Sequence, residues 1–227
     1  MRIVLDIGGS ILCPDGIPDL KYVKKLAKFV IDLKKKKHRI IVVTGGGKIA
    51  KSYIKAARTF RPDEDTLDFI GILGTRMNAM VLISALGKYA YNRLVKNKER
   101  LEDAIKSGKV VVMGGTVLRQ TTDAVSVAAA EFFKADLIII GTDVKGIYDK
   151  DPDKHKGAKM LKRISPKGLH DMVRVKKHRA GPLTIMDPLA ARLLEHVRIK
   201  TVVVNGKDFK NIKNLINGKK FVGTLIG

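Results

Sequence analysis

Tryptophan is absent from this 227-residue chain, cysteine occurs once, and 22 acidic residues stand against 45 lysines and arginines. The lone Cys13 excludes an internal disulfide framework and suits a reducing compartment, so a cytoplasmic location is expected. No apolar run approaches the roughly 18 residues of a membrane span. The chain opens directly on Arg2-Ile3-Val4-Leu5-Asp6, a strand pattern with an acid and not a secretory signal. No membrane partner is therefore expected. No G-x-x-x-x-G-K-[ST] occurs, which disfavours a P-loop enzyme. His155, His170 and His178 lack H-x-x-x-H spacing and cysteine company, so a protein-held metal centre is not expected. No Ser-His-Asp or Cys-His pairing sits beside a glycine turn, so nucleophilic hydrolysis is poorly supported.

The shortage of acids leaves a net charge of +23. That excess fits either a nucleic-acid partner or a lysine-rich solvated surface of the kind found in heat-adapted proteins. Lys34-Lys35-Lys36-Lys37 is the only dense run, and it closes a helical pattern, where cations suit the helix dipole. The other lysines are scattered along the chain, and only five tyrosines and seven phenylalanines could stack on bases. The solvated surface is the preferred reading, with part of the excess serving to attract anionic ligands. Nucleic acid is not expected as a partner.

What is present is a set of buried strand patterns that run into glycine. Val110 to Met113 is apolar and meets Gly114-Gly115; Thr116 to Thr122 is polar; Asp123 opens an alanine-rich helical segment reaching Lys134; Leu137 to Ile140 meets Gly141. This reads as a βαβ unit whose unalternating strands belong in a parallel sheet covered on both faces. Ligands in such sheets bind beyond the carboxyl ends of the strands, which places the active site at the loops 114–122 and 141–151. Two further strand–glycine junctions occur, Gly8-Gly9-Ser10 after Arg2–Ile7 and Gly45-Gly46-Gly47 after Ile40–Val43. Each can cradle phosphate with backbone N–H groups, or be an ordinary tight turn. Gly45 to Ala50 formally matches the dinucleotide fingerprint, with acids at 63–65 downstream, but it does not follow the first strand of its unit. Three glycine turns around one crevice suit two phosphorylated ligands better than one dinucleotide.

Helical stripes are predicted over Leu20–Leu33, about Ile49–Arg58, Leu67–Leu86, Glu99–Ser107 and Lys207–Lys219. Asp187-Pro188 is the start of another, running through Leu189–Val197. Arg93–Val95, Thr201–Val204 and Phe221–Ile226 read as strands, and Arg179–Pro182 as a turn. Leu67–Leu86 is interrupted by Asp68, Thr75, Arg76 and Asn78; Asp68 can hold a ribose hydroxyl or merely complement the helix start. With Lys48 and Lys51 on the helix after the second glycine turn and Asp123 at a helix start, the chain holds what phosphoryl transfer between two anions requires.

Five motifs occur in order: Asp6-Ile7-Gly8-Gly9-Ser10, Gly45-Gly46-Gly47, Thr121-Thr122-Asp123-Ala124, Thr142-Asp143-Val144-Lys145-Gly146-Ile147-Tyr148 with Asp151-Pro152, and Asp187-Pro188-Leu189-Ala190-Ala191. Together they resemble the amino acid kinase family, most of all its uridylate (UMP) kinases of the archaeal type. The resemblance implies one domain over 1–227, a three-layer αβα sandwich around a largely parallel sheet. Residues 1–115 would form a lobe for UMP and 116–227 a lobe for ATP, with Mg2+ held through the ATP phosphates. By the same resemblance Gly9, Ser10, Gly47 and Lys51 meet the ATP phosphates, and Thr142, Asp143, Tyr148 and Asp151 the adenosine. Gly46 meets the acceptor phosphate, Asp68 the UMP ribose, and Thr116, Val117, Leu118, Arg119, Gln120, Thr121 and Thr122 surround UMP. Asp123, Lys51 and Lys48 would be catalytic. Asp6 stands where many members have a lysine that stabilises transition-state charge, which throws that load onto Lys48 or Lys51. Arg119 is open between a phosphate clamp and a solvated side chain. A homohexamer is also implied. Two rival readings are a kinase of the same fold acting on isopentenyl phosphate, and a non-catalytic basic nucleotide- or nucleic-acid-binding protein.

Overall fold

The computed structural model describes residues 1–176 and 186–227; the turn expected at Arg179–Pro182 and His178 lie outside them. The strands in chain order are β1 (Arg2–Ile7), β2 (Arg39–Thr44), β3 (Val111–Met113), β4 (Leu137–Thr142), β5 (Arg163–Ile164), β6 (Lys200–Asn205) and β7 (Thr224–Ile226). They form one sheet of order β3-β2-β1-β4-β6-β7-β5. The β3-to-β6 run is parallel, β7 is antiparallel to β6, and β5 is parallel to β7. The central strands are apolar on both faces, as a sheet covered on both sides requires.

The helices are α1 (Gly9–Leu12), α2 (Leu20–Lys35), α3 (Gly47–Arg58), α4 (Glu64–Leu86), α5 (Lys98–Lys106), α6 (Thr122–Phe133), α7 (Pro166–Lys176), α8 (Pro188–His196) and α9 (Phe209–Ile216). One core cluster joins the sheet to α2, α4 and α9 through Leu26, Leu82 and Leu215. The other joins it to α5, α6, α7 and α8 through Leu101, Val127, Leu169 and Leu194. This is the expected αβα sandwich. Helix α3 buries only Ala50 and packs outside α4. Helix α4 is, among the described residues, the one helix long and apolar enough to cross a membrane. Its inner face, including Leu67, Ile72, Ala79 and Leu86, is buried in the protein.

Several boundaries differ from the sequence expectation for local reasons. Helix α4 starts three residues earlier because Asp63 caps it, its Oδ1 accepting from the Thr66 N–H at 2.7 Å. Thr121 and not Asp123 caps α6, which puts Asp123 in the first turn. Gly9-Ser10 opens the short helical turn α1. Arg93–Val95 is not a strand; Val95 makes a single bridge to Met113. The helix expected at Lys207–Lys219 is cut to Phe209–Ile216 by the Asp208 cap, and the terminal strand is shortened to Thr224–Ile226. The expected βαβ unit has the right elements, but β3 pairs with β2 and β4 with β1, so two strands separate its ends. Asp187 does cap α8, accepting from Leu189 and Ala190 N–H at 2.8 and 3.1 Å, with Pro188 in the first turn.

Candidate active site

The carboxyl ends of β1, β2, β4 and β6 bring four glycine-bearing turns together. Gly8 N–H donates to Gly141 O at 3.0 Å, and Gly45 N–H to Ile7 O at 3.0 Å. A Cβ on Gly9 would meet the Gly47 nitrogen at 2.0 Å, and one on Gly45 would meet the Gly9 nitrogen at 2.4 Å. The first two turns therefore touch backbone to backbone, an approach only glycine permits. Gly47 also has φ +64° and would clash with Gly9 O at 2.4 Å if it carried a Cβ. Lys48 and Lys51 rise from this turn on the first two turns of α3 and are exposed.

Helix α4 holds the turns in place with the polar residues that interrupt its apolar pattern. Asn78 donates to Gly45 O and Gly46 O at 2.8 and 3.1 Å. Thr75 Oγ1 accepts from Gly115 N–H at 2.7 Å, and Arg76 Nε donates to Gly115 O at 3.0 Å. Thr44 Oγ1 donates to Thr75 O at 3.1 Å. Thr75, Arg76 and Asn78, buried or part-buried on α4, satisfy loop backbone that would otherwise lack partners. Sequence reading noticed them as interruptions and assigned them no function; a polar trio in the middle of an apolar helix is the signal that could have found them.

Three carboxylates converge where β1, α6 and α8 meet. Asp6 lies level with Val43 and Ile140 in the sheet and is 2% exposed. Its Oδ2 has no hydrogen-bond partner. Burial chiefly raises the Asp6 carboxyl to about 6; the Ser126 hydroxyl pulls it down and the Asp187 charge pushes it further up. Asp123 is held well above the usual carboxylate range by enclosure, then by the Asp6 and Asp187 charges. The Asp187 N–H, 3.3 Å from Asp123 Oδ2, works the other way. Thr121 Oγ1 bonds Asp187 Oδ2, which ties the start of α6 to the start of α8. Asp187 and Asp6 were not among the residues assigned a role from sequence. Asp187 was visible there as a helix cap, but nothing local says that the cap faces Asp123.

Uncompensated carboxylates in an enclosed space are costly unless a cation joins them. Asp6 Oδ2 and the raised Asp123 thus fit a site that takes a cation together with its ligand. Among the described residues no three histidine, cysteine or acidic groups are arranged to hold a metal alone. Asp6 also yields a pH test. Between 3.8 and about 6 the folded protein keeps a proton that the unfolded chain has released. Stability therefore falls as pH rises through that window and stays lower above it. Asp6→Asn should stabilise the ligand-free protein above that window by up to about 3 kcal/mol and have little effect near ~pH 4. Thermal denaturation at both pH values checks this; equal shifts at the two would remove Asp6 ionisation as the cause.

The remaining expected residues fall around the same mouth. Asp68, on the first turns of α4, accepts from Arg119 N–H, and Arg119 Nε donates to Asp65 Oδ1 at 2.9 Å. Arg119, with φ +62°, thus straps the 116–122 loop to α4. Its guanidinium is ion-paired to Asp65 at the surface. Thr116, Val117 and Gln120 line one wall of a cavity of about 410 Å³ with Met113, Val125 and Phe132. Leu118 is exposed, and Thr122 is the first residue of α6. Thr142 Oγ1 donates to Asp143 Oδ1 at 3.0 Å at the end of β4. Asp151 is buried and accepts from Asp153 N–H at 3.0 Å, while Tyr148 bridges to Met160. The structure brings Gly9, Gly46, Gly47, Lys48 and Asp123 to one end of the sheet, and sets Asp68 with residues 116–122 on one flank.

A covered parallel sheet with interlocked glycine turns and acids at its carboxyl edge defines a protein that binds phosphorylated ligands there. The amino acid kinase family model matches residues 1–205, and the chain belongs to that family. Among curated relatives, uridylate kinase of Thermococcus gammatolerans is 43% identical over 219 residues, covering 96% of both chains. Uridylate kinase of Methanocaldococcus jannaschii is 41% identical over 221 residues, covering 96% of this chain and 98% of the relative. The solved uridylate kinase of Archaeoglobus fulgidus superposes with a TM-score of 0.87 at 38% identity, over 100% of both chains.

Proposed function

We propose that this protein is a UMP kinase, transferring the γ-phosphoryl group of ATP to UMP to give UDP and ADP for pyrimidine nucleotide synthesis in the cytoplasm. The observation that carries phosphoryl transfer is the contact of the Gly8–Ser10 and Gly45–Lys48 turns directly beside Asp6 and Asp123. The choice of UMP is supported by the uridylate kinases, which match this chain along nearly its whole length. In this reading N–H groups at Gly9, Ser10 and Gly47 and the Lys51 ammonium receive the ATP phosphates, and Gly46 receives the acceptor phosphate. Thr142, Asp143, Tyr148 and Asp151 take the adenosine. Asp68 takes the UMP ribose, which replaces the Arg119 N–H as its partner, and residues 116–122 close around the base. Residues 1–115 then serve mainly UMP and 116–227 mainly ATP.

Bound Mg2+ would neutralise charge that develops on the transferring phosphoryl group. Asp123, with Asp6 and Asp187 beside it, would hold that ion against the ATP phosphates. Lys48 and Lys51 supply the cationic charge that a lysine at position 6 would otherwise bring. Catalysis is positioning and preorganised electrostatics, with no covalent intermediate on the protein. ADP release from Mg-ATP, with UMP, CMP, dUMP and isopentenyl phosphate offered separately, tests the reading. Turnover with UMP well above the others is expected. Turnover with isopentenyl phosphate alone would keep the fold and overturn the assigned role of Asp68 and the 116–122 loop.

The homo-oligomer has support in the outer face of α3 and α4. Tyr53, Phe60, Leu73 and Met77 are exposed there, at 61%, 86%, 43% and 46%, around a recess of about 360 Å³. A contiguous apolar surface of this kind belongs in an interface. Phe60→Glu is expected to lower the mass seen by light scattering from a hexamer to a smaller species. A wild-type protein that is already monomeric at micromolar concentration would dismiss the assembly.

A further inference from the structure

The lysines that look scattered along the sequence are gathered by the fold. Helices α2 and α9 lie side by side on one face of the sheet. Tyr22 and Phe209 rings stack at 5.7 Å, Phe29 and Phe209 meet at 5.1 Å, and Tyr22 Oη donates to Gly206 O at 3.0 Å. Their apolar sides are thereby used up, and their outer sides carry the charge. Lys21, Lys24, Lys25 and Lys28 are exposed along α2, with Lys35–Lys37 at its end. Lys210 and Lys213 are exposed along α9, with Lys207 just before it and Lys219 and Lys220 after it. Lys35, Lys36 and Lys213, together with Asp32, border one recess of about 290 Å³ between the two helices. The exposed acids of these helices are Asp32 and Asp208, and Asp208 is committed to capping α9, accepting from Asn211 N–H at 2.9 Å. Among the described residues, no lysine of α2 or α9 takes part in an ion pair.

A dozen lysines without ion pairs along two neighbouring helices repel one another, and folding gains nothing from gathering them. Surface lysines placed for solubility are interspersed with acids, as single-sign fields are not needed for it. We propose that the α2–α9 face binds the phosphodiester backbone of nucleic acid, separately from the kinase site. Helix α2, with 16 residues, spans about 24 Å, and duplex DNA carries one charge per roughly 1.7 Å of axis, so the face meets many phosphates at once. The cations are lysines, and the aromatic rings between the helices are engaged with each other. Contacts are therefore to backbone and carry no base readout. Binding is independent of sequence and steeply dependent on salt.

The test is fluorescence anisotropy of the intact protein with labelled DNA duplex, RNA duplex and single strands of about 20 nucleotides, at ~50 to ~200 mM salt. The expected result is a Kd on the order of 1–100 µM that does not change with sequence, with a log–log salt slope of roughly −4 to −5. The duplex and single-strand arms identify which backbone geometry fits. The triple variant Lys24→Glu, Lys25→Glu, Lys28→Glu should weaken binding at least tenfold and flatten the slope by about 3, with ATP–UMP turnover unchanged. The control triple Lys134→Glu, Lys162→Glu, Lys200→Glu makes the same change in net charge away from this face. Equal loss in both triples, absence of binding at the lowest salt, or binding to anionic lipid vesicles and not to nucleic acid would each overturn the proposal.

Discussion

Asp123→Asn is expected to cut ATP–UMP turnover by roughly 10²–10³-fold or more while leaving the fold intact. The carboxyl stands in the first turn of α6, where a helix dipole favours negative charge, yet enclosure and two neighbouring acids hold it well above its usual range. Cationic charge arriving with the substrates would stabilise its carboxylate form. Asparagine keeps the shape and still accepts from the Asp187 N–H, but it cannot counter a cation. Without ligands the same change removes a charge conflict among Asp6, Asp123 and Asp187. Its Tm at neutral pH is therefore expected to rise, the usual exchange between stability and function at a built site. Turnover assays beside thermal denaturation separate the two effects. Wild-type turnover would remove Asp123 from the mechanism; a large fall in Tm would make its role structural.

Gly9→Ala is expected to damage fold and activity together. Its Cβ would meet the Gly47 nitrogen at 2.0 Å and the Gly47 Cα at 2.6 Å, and both are backbone. No rotamer change relieves such a contact, so the β1 and β2 turns must separate. Overpacking at a site this rigid costs about 1–3 kcal/mol or more, which in a chain of this length lowers Tm by roughly 5–10 °C. Separation also displaces the N–H groups of both turns, so turnover should fall by about 10²-fold even well below Tm. Gly16→Ala is the matched control: Gly16 has a left-handed φ of +91° but nothing within 4 Å of a Cβ. It should bear a backbone strain cost of about 1 kcal/mol and keep full turnover. If Gly9→Ala behaves like that control, the two turns have slack and the crevice is looser than the contact distances imply.

By itself the sequence determined the fold class and most of the elements, though not β5 or α7, and it placed a strand at Arg93–Val95 where none forms. Unalternating apolar runs such as Val110–Met113 and Leu137–Ile140 read as strands buried on both faces, and glycine after each marks where the backbone must turn or approach closely. The Asp187-Pro188 cap was legible because capping is a contact between residues two and three apart. Tertiary structure alone decided what lies beside what. That β3 pairs with β2 and leaves β1 for β4 is set by long-range strand pairing, and that order carries Asp6 into the company of Asp123 and Asp187. Thr75, Arg76 and Asn78 interrupt a helix when read locally; they hold two glycine turns because α4 crosses beneath loops 31 to 40 residues away in the chain. The lysines followed the same rule. Charge is counted in sequence but acts through distance in space, and only the packing of α9 against α2 turned a scattered excess into a single basic face.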